Sequence, residues 1–147
     1  FGIKYTPVKG RFANRRNRVE AAIISRKVAQ HMLEHPKESV GIVAMNSEQR
    51  EEIEMQFEQI TKENELFRNA YTENQNLDEP LFIKNLENVQ GDEREVIIIG
   101  TGFGPRKPRS TGAKVKNQFG LINQAGGERR LNVLTIHLTT KYLPHAN

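Results

Sequence analysis

The hydrophobic pattern of this chain turns on residues 81–100, LFIKNLENVQGDEREVIIIG. Leu81, Phe82 and Ile83 make a short apolar strand, a polar turn covers 87–94, and 96–99 run on without polar alternation. A strand apolar on both faces belongs in the middle of a sheet that is covered on two sides. Polar residues between two such strands are expected at the sheet's edge, where open α/β folds bind ligands. Gly91 lets a backbone approach a ligand closely, and Gln90, Asp92 and Glu93 supply donors and acceptors beside it. An ordinary solvated loop fits this stretch equally well when it is read alone.

Upstream, residues 1–8 alternate as a strand closed by Pro7, and 9–16 form a basic loop. Asn17 caps a predicted helix that reaches about His35, with Ala21, Ile24, Val28 and Met32 as its buried stripe. Pro36 ends it. Residues 40–44, VGIVA, read as another wholly apolar strand. Asn46 or Ser47 then caps a second helix with Glu48, Glu51 and Glu52 in its first turns and Ile53, Phe57 and Ile60 as its core stripe. Residues 64–79 are polar, with one amphipathic turn at Leu66, Phe67, Ala70 and Tyr71. Strand, helix, strand, helix, strand, strand predicts an α/β domain with a largely parallel sheet.

After Gly100 the texture changes. Residues 103–118 carry glycines, prolines and bases but no acid, which predicts a mobile basic loop. A short helix is expected from about Glu128, and 136–147 read as a divergent edge strand or a disordered tail. A length of 147 residues suits one domain. With 36% hydrophobic and 27% charged residues the composition is that of a globular protein. No apolar run is long enough to span a membrane, and the absence of cysteine removes thiolate metal sites and fits a cytoplasmic setting. The net charge of +4 is unevenly spread, with bases clustered at 11–18, 106–116 and 129–130. Such clusters point to a polyanion partner, although solvated charge is the default. The chain starts at Phe1 inside an apparent strand and reads as a piece of something larger.

Three short patterns fail on context. Gly100, Gly102 and Gly104 follow a strand, but Pro105 and Pro108 replace the helix that a dinucleotide fingerprint needs. His31 and His35 have the spacing of an inverted zinc-protease helix, but Pro36 stops that helix at the second imidazole. No metal site is expected. The chain holds no G-x-x-x-x-G-K-[ST], so it has no P-loop of its own.

Residues 126–134, GGERRLNVL, together with NVQGDEREVIII at 88–99, resemble the second RecA-like domain of superfamily 1 helicases. The likeness is specifically to the branch of the nonsense-mediated-decay helicase and its bacterial relatives. In that family Gln-Gly-x-Glu is motif V and Arg-Arg-Leu-Asn-Val opens motif VI. VGIVAMNSEQREEIE, at 40–54, is similar to motif IV, and Asn17 to Ala21 match the Asn-Arg-x-Glu-Ala segment of the first helix. The resemblance therefore implies an α/β, RecA-like (P-loop NTPase type) domain over residues 1–135, with a mostly parallel central sheet flanked by helices.

It also implies a set of roles. ATP and its Mg2+ would lie between this domain and a first RecA-like domain of the same parent chain, which would carry the P-loop. Arg50 would reach the γ-phosphate as an arginine finger, with Gln49 beside it, because phosphoryl transfer needs positive charge on the transferring oxygens. Glu93 would accept from the ribose hydroxyl, Gln90 and Gly91 would line the phosphate side, and Arg129 and Arg130 would help build the cleft wall. Asn85 and Glu87 fall where relatives touch single-stranded DNA or RNA. The chain departs from the family after Leu134, where Thr135, Ile136 and His137 stand in place of Thr-Arg-Ala. Neutral histidine lacks the guanidinium fork, so the second finger is missing. Two readings follow: a helicase motor domain, or a non-catalytic nucleic-acid-binding or scaffolding remnant with a decayed motif VI. An α/β module with no link to nucleotides is a distant third.

Overall fold

The computed structural model describes residue 8 and residues 10–102. Residues 1–7 of the predicted strand, the basic loop at 103–118, the short helix expected from about Glu128 with Arg129 and Arg130, and the end at 136–147 lie outside the described residues.

Six elements follow in order: α1 (Arg18–Glu34), β1 (Val40–Ala44), α2 (Ser47–Glu63), α3 (Glu65–Asn74), β2 (Phe82–Asn85) and β3 (Val96–Gly100). Among the described strands the sheet order is β2-β1-β3, and both pairings are parallel. The fold is α/β, with a parallel sheet flanked by helices, as the element order predicted. The middle strand of these three is β1, buried along its whole length, rather than β3, whose isoleucines are half-buried.

Each helix begins at an asparagine. Asn17, Asn46 and Asn64 are N-caps whose side chains accept from the backbone N–H of Glu20, Gln49 and Phe67. Each such cap is worth about 1 kcal/mol. The predicted stripe of α1 is buried at Ala21, Ile24, Val28 and Met32, and α2 buries Ile53 and Phe57, with Ile60 packed against the same core.

Residues 65–74 make a full helix rather than one turn. Phe67 is completely buried, with its ring centroid 5.8 Å from Phe57 and 5.9 Å from Tyr71, whereas Leu66 is 73% exposed. Asn74, also buried, receives the N–H of Leu81 on Oδ1 at 2.7 Å and so fixes where β2 begins.

One face of the sheet, formed by Val40, Ile42, Ala44, Ile83 and Ile98, packs on the three helices. The other, formed by Val43, Phe82, Ile97 and Ile99, is covered by Leu86 and Val89 from the connection between β2 and β3. A right-handed return from β2 past β1 to β3 has to cross on the face away from α2 and α3. Asp92, paired with Lys84, and Arg94, over the Phe82 ring, lie on this return. Arg94 completes the return by donating from Nε and Nη2 to the Pro80 carbonyl, at 3.2 and 2.8 Å. Gly41 permits the covering ring: a Cβ there would lie 2.4 Å from Phe82.

Candidate nucleotide edge

Helices α1 and α2 both start at the carboxyl edge of the sheet and run back antiparallel to the strands, so their unpaired N–H ends gather at one place. Asn17, Glu20 and Gln49 are buried there. The Gln49 amide reads the main chain of Asn17 in both directions. Its Oε1 accepts the Asn17 N–H at 2.7 Å, and its Nε2 donates to the Asn17 carbonyl at 3.1 Å and to Glu20 Oε2 at 3.0 Å. Glu20 also accepts from the backbone N–H of Gly102 at 2.7 Å and from the Thr101 hydroxyl at 3.3 Å. Burial pushes the Glu20 carboxyl above its ordinary value, against the opposing effect of the bonds from Gly102, Thr101 and Gln49.

Arg50 follows Gln49 in the first turns of α2. Its Nε is shielded from solvent, has no hydrogen-bond partner among the described residues and lies 3.7 Å from Glu54 Oε1, one turn along the helix. Glu54 lines a cavity with Phe57, Tyr71 and Ile83, so this flank of α2 faces β2. A guanidinium held by one long ion pair keeps most of its donors for another acceptor. Gln49, by contrast, spends its amide inside the protein.

At the end of β2, Asn85 is also buried. Its Nδ2 donates to Ser47 Oγ at 2.9 Å, and its Oδ1 accepts from the Asn88 N–H at 3.1 Å. It ties the start of α2 to the turn at 86–88, which leaves Ser47, Glu87 and Asn88 on the surface. Gln90, Gly91 and Glu93 are exposed, and Gly91 has the positive φ of 88° that favours glycine. Their turn is braced from beneath by Lys84 Nζ, 2.7 Å from Asp92 Oδ2, and by Arg94 stacked 4.9 Å over the Phe82 ring. The described contacts do not join Arg50 to residues 90–93. They place the first at the start of α2, which Ser47 ties to Asn85, and the second on the return from β2.

The basic cluster at 11–18 is largely neutralised. Ala13 and Arg16 exchange backbone hydrogen bonds around Asn14 and Arg15, both at positive φ, and this tight turn aims the arginines at α2. Arg15 meets Glu48 at 3.2 Å, Arg16 meets Glu51 at 2.9 Å and Glu52 at 3.5 Å, and Arg18 meets Glu52 at 3.7 Å. His31 and His35 stack at 4.8 Å and both face Glu38. Among the described residues no group of three or more His, Asp or Glu is arranged to hold a metal ion, and no helix is long and apolar enough to cross a membrane.

Sequence reasoning missed Asn17 and Glu20 as members of this edge. The available signal was a repeated spacing: Asn17 with Glu20, and Asn46 with Gln49, each a cap followed three residues later by a long polar side chain.

Comparison with known proteins fits this architecture. The uncharacterized ATP-dependent helicase MG140 of Mycoplasma genitalium is 37% identical over 135 residues, covering 89% of this chain and 11% of that protein. Its Mycoplasma pneumoniae homolog is 36% identical over 136 residues, with the same coverage. The chain thus spans about a tenth of the length of these relatives. No solved structure is significantly similar to it. A family model described as an AAA domain matches residues 4–135, nearly the whole sequence, and the chain belongs to that AAA domain family.

Proposed function

We propose that this chain is the second RecA-like motor domain of an ATP-dependent superfamily 1 DNA or RNA helicase. In that role it completes the ATP cleft of a longer parent protein. The observation that carries the reading is the place of Arg50: in the first turns of α2, at the carboxyl edge, with its charge only loosely engaged by Glu54. Ligands of open α/β sheets bind beyond that edge. The names of the two mycoplasma relatives, both ATP-dependent helicases, support the same class.

The P-loop and Mg2+ then come from the first RecA-like domain. Arg50 supplies positive charge to the γ-phosphate as it is transferred. Glu93 accepts from the ribose, and the exposed backbone of Gln90 and Gly91 lies along the phosphates. Arg129 and Arg130 belong to the cleft wall. Gln49 serves the cleft from behind Arg50. Single-stranded nucleic acid crosses the surface shaped by Asn85 and flanked by Glu87. One observation favours the alternative of a non-catalytic remnant: Ile136 stands where the family carries its second arginine.

Turnover of the intact parent separates the two. The motor reading expects Mg2+-dependent ATP hydrolysis stimulated by single-stranded DNA or RNA, and a raised KM for ATP in Glu93→Ala. Nucleic-acid binding without any ATP turnover would establish the remnant instead.

A further inference from the structure

We propose that Glu20 and Gln49 are positioning residues for Arg50, a buried clasp that sets the direction of its guanidinium; the inference rests on the ATP-cleft reading above. One carboxylate links three segments: α1, through its own place in the first turn; α2, through Gln49; and the chain leaving β3, through Thr101 and Gly102. The backbone is built tightly around it. A Cβ on Gly10 would sit 2.1 Å from Asn17 Oδ1, and one on Gly100 would sit 2.8 Å from Ile24 Cδ1 and 3.4 Å from Glu20 Oε2.

Apolar side chains of similar volume would hold two helices together without desolvating a carboxylate. They would not fix the rotation of α2 about its axis. Gln49 does, because its amide pairs with both the N–H and the C=O of Asn17, and no other orientation satisfies both. Consecutive helical residues are about 100° apart around the axis. Locking Gln49 inward therefore commits Arg50 to the flank that faces β2. Glu20 in turn orients the Gln49 amide by taking its second N–H, and it is itself held by the Gly102 N–H.

Misplacing a group by about 1 Å can cost on the order of a hundredfold in rate, so a small rotation of this turn matters. Glu20→Gln keeps the side chain's shape but removes one acceptor oxygen and introduces a donor among three donors. The test is a cycle in the intact parent chain: Glu20→Gln, Arg50→Ala and the double variant, each shown by thermal melting to be folded at the assay temperature. Per folded molecule, Glu20→Gln should lower kcat about tenfold or more with the KM for ATP nearly unchanged; the melts, not the KM, exclude a loss of folded protein as the cause. In the Arg50→Ala background it should change kcat by less than about twofold. Independent, multiplying effects would overturn the clasp as a positioning device while leaving the ATP reading intact. A silent Arg50→Ala would overturn both. Should Glu20→Gln fail to fold, Thr101→Val removes one hydroxyl donor from the same carboxylate. The same non-additivity with Arg50→Ala is then expected, and its absence is equally decisive.

Discussion

Gln49 Nε2 donates to Glu20 Oε2 at 3.0 Å, and each of these residues is the third of its helix. In a capping box the third side chain folds back onto the N–H of its own cap. Here the asparagine halves of two such boxes behave normally, while the third residues reach across to the other helix. The Asn17 N–H, which Glu20 would have satisfied, is taken by Gln49 instead. Glu20 is thereby free to hold Gly102. The exchange joins two helix starts at the carboxyl edge of the sheet, next to Arg50.

A pH dependence follows from the buried carboxylate. Its unfolded value is near 4.5, and burial raises the folded one. Between the two the folded state binds more protons than the unfolded state. The stability this group contributes is therefore present below the unfolded value and lost as pH rises through the folded one. Urea unfolding of wild type and Glu20→Gln across the acid-to-neutral range should show wild type losing stability relative to the variant as pH rises. A difference independent of pH would contradict the assignment.

Phe67 is the anchor of α3. Phe67→Ala should cost about 3–5 kcal/mol of unfolding free energy, since it empties a fully buried site between Phe57 and Tyr71. Leu66→Ala, one residue earlier and mostly exposed, should change stability by less than about 0.5 kcal/mol. Denaturant melts of the two variants check both values, and similar losses would mean that α3 packs by a different face.

These residues also show how much the sequence could tell. The stripe of α1 was legible because its burial follows a local period, and the VGIVA strand because it is an unbroken apolar run, buried along its whole length. Helix α3 was read as one turn because its buried side is narrow, essentially Phe67 and Asn74 among polar neighbours. What makes it a helix is its docking on α2 and the bond from Asn74 to Leu81. Arg50 was singled out only through family resemblance, and its place at the start of α2 follows from the strand–turn–helix around it. The Glu20–Gln49 bond spans 29 residues and depends on which helix starts the sheet brings together, which no local pattern records. The pairing of the basic cluster at 11–18 was hidden for a related reason: its acidic partners lie in α2.

That cluster gives a prediction of its own. Arg16 is committed to Glu51 and to Glu52, whose side chain is only 4% exposed. Arg16→Ala should lower stability by about 1 kcal/mol or more, because Glu52 loses a partner. It should leave the affinity for single-stranded nucleic acid, and the salt dependence of that affinity, nearly unchanged. Fluorescence anisotropy at several salt concentrations checks this. A clearly shallower salt slope in the variant would make Arg16 a phosphate contact after all.

The 147-residue chain by itself should hydrolyse ATP no faster than background, since positioning and charge do nearly all the work of phosphoryl transfer and it carries no P-loop. Robust Mg2+-dependent turnover by the purified chain would contradict the proposed role as the second half of a cleft.

The central claim concerns Arg50, and turnover of the intact parent protein tests it most directly. An arginine finger is worth roughly a thousandfold in turnover, about 4 kcal/mol of transition-state stabilisation. Arg50→Ala should collapse kcat by about that factor while this domain's melting temperature barely moves, because its ion pair with Glu54 is long and partly exposed. Arg50→Lys should recover little, since an ammonium lacks the planar fork. Turnover of Arg50→Ala within a few-fold of wild type would contradict the account.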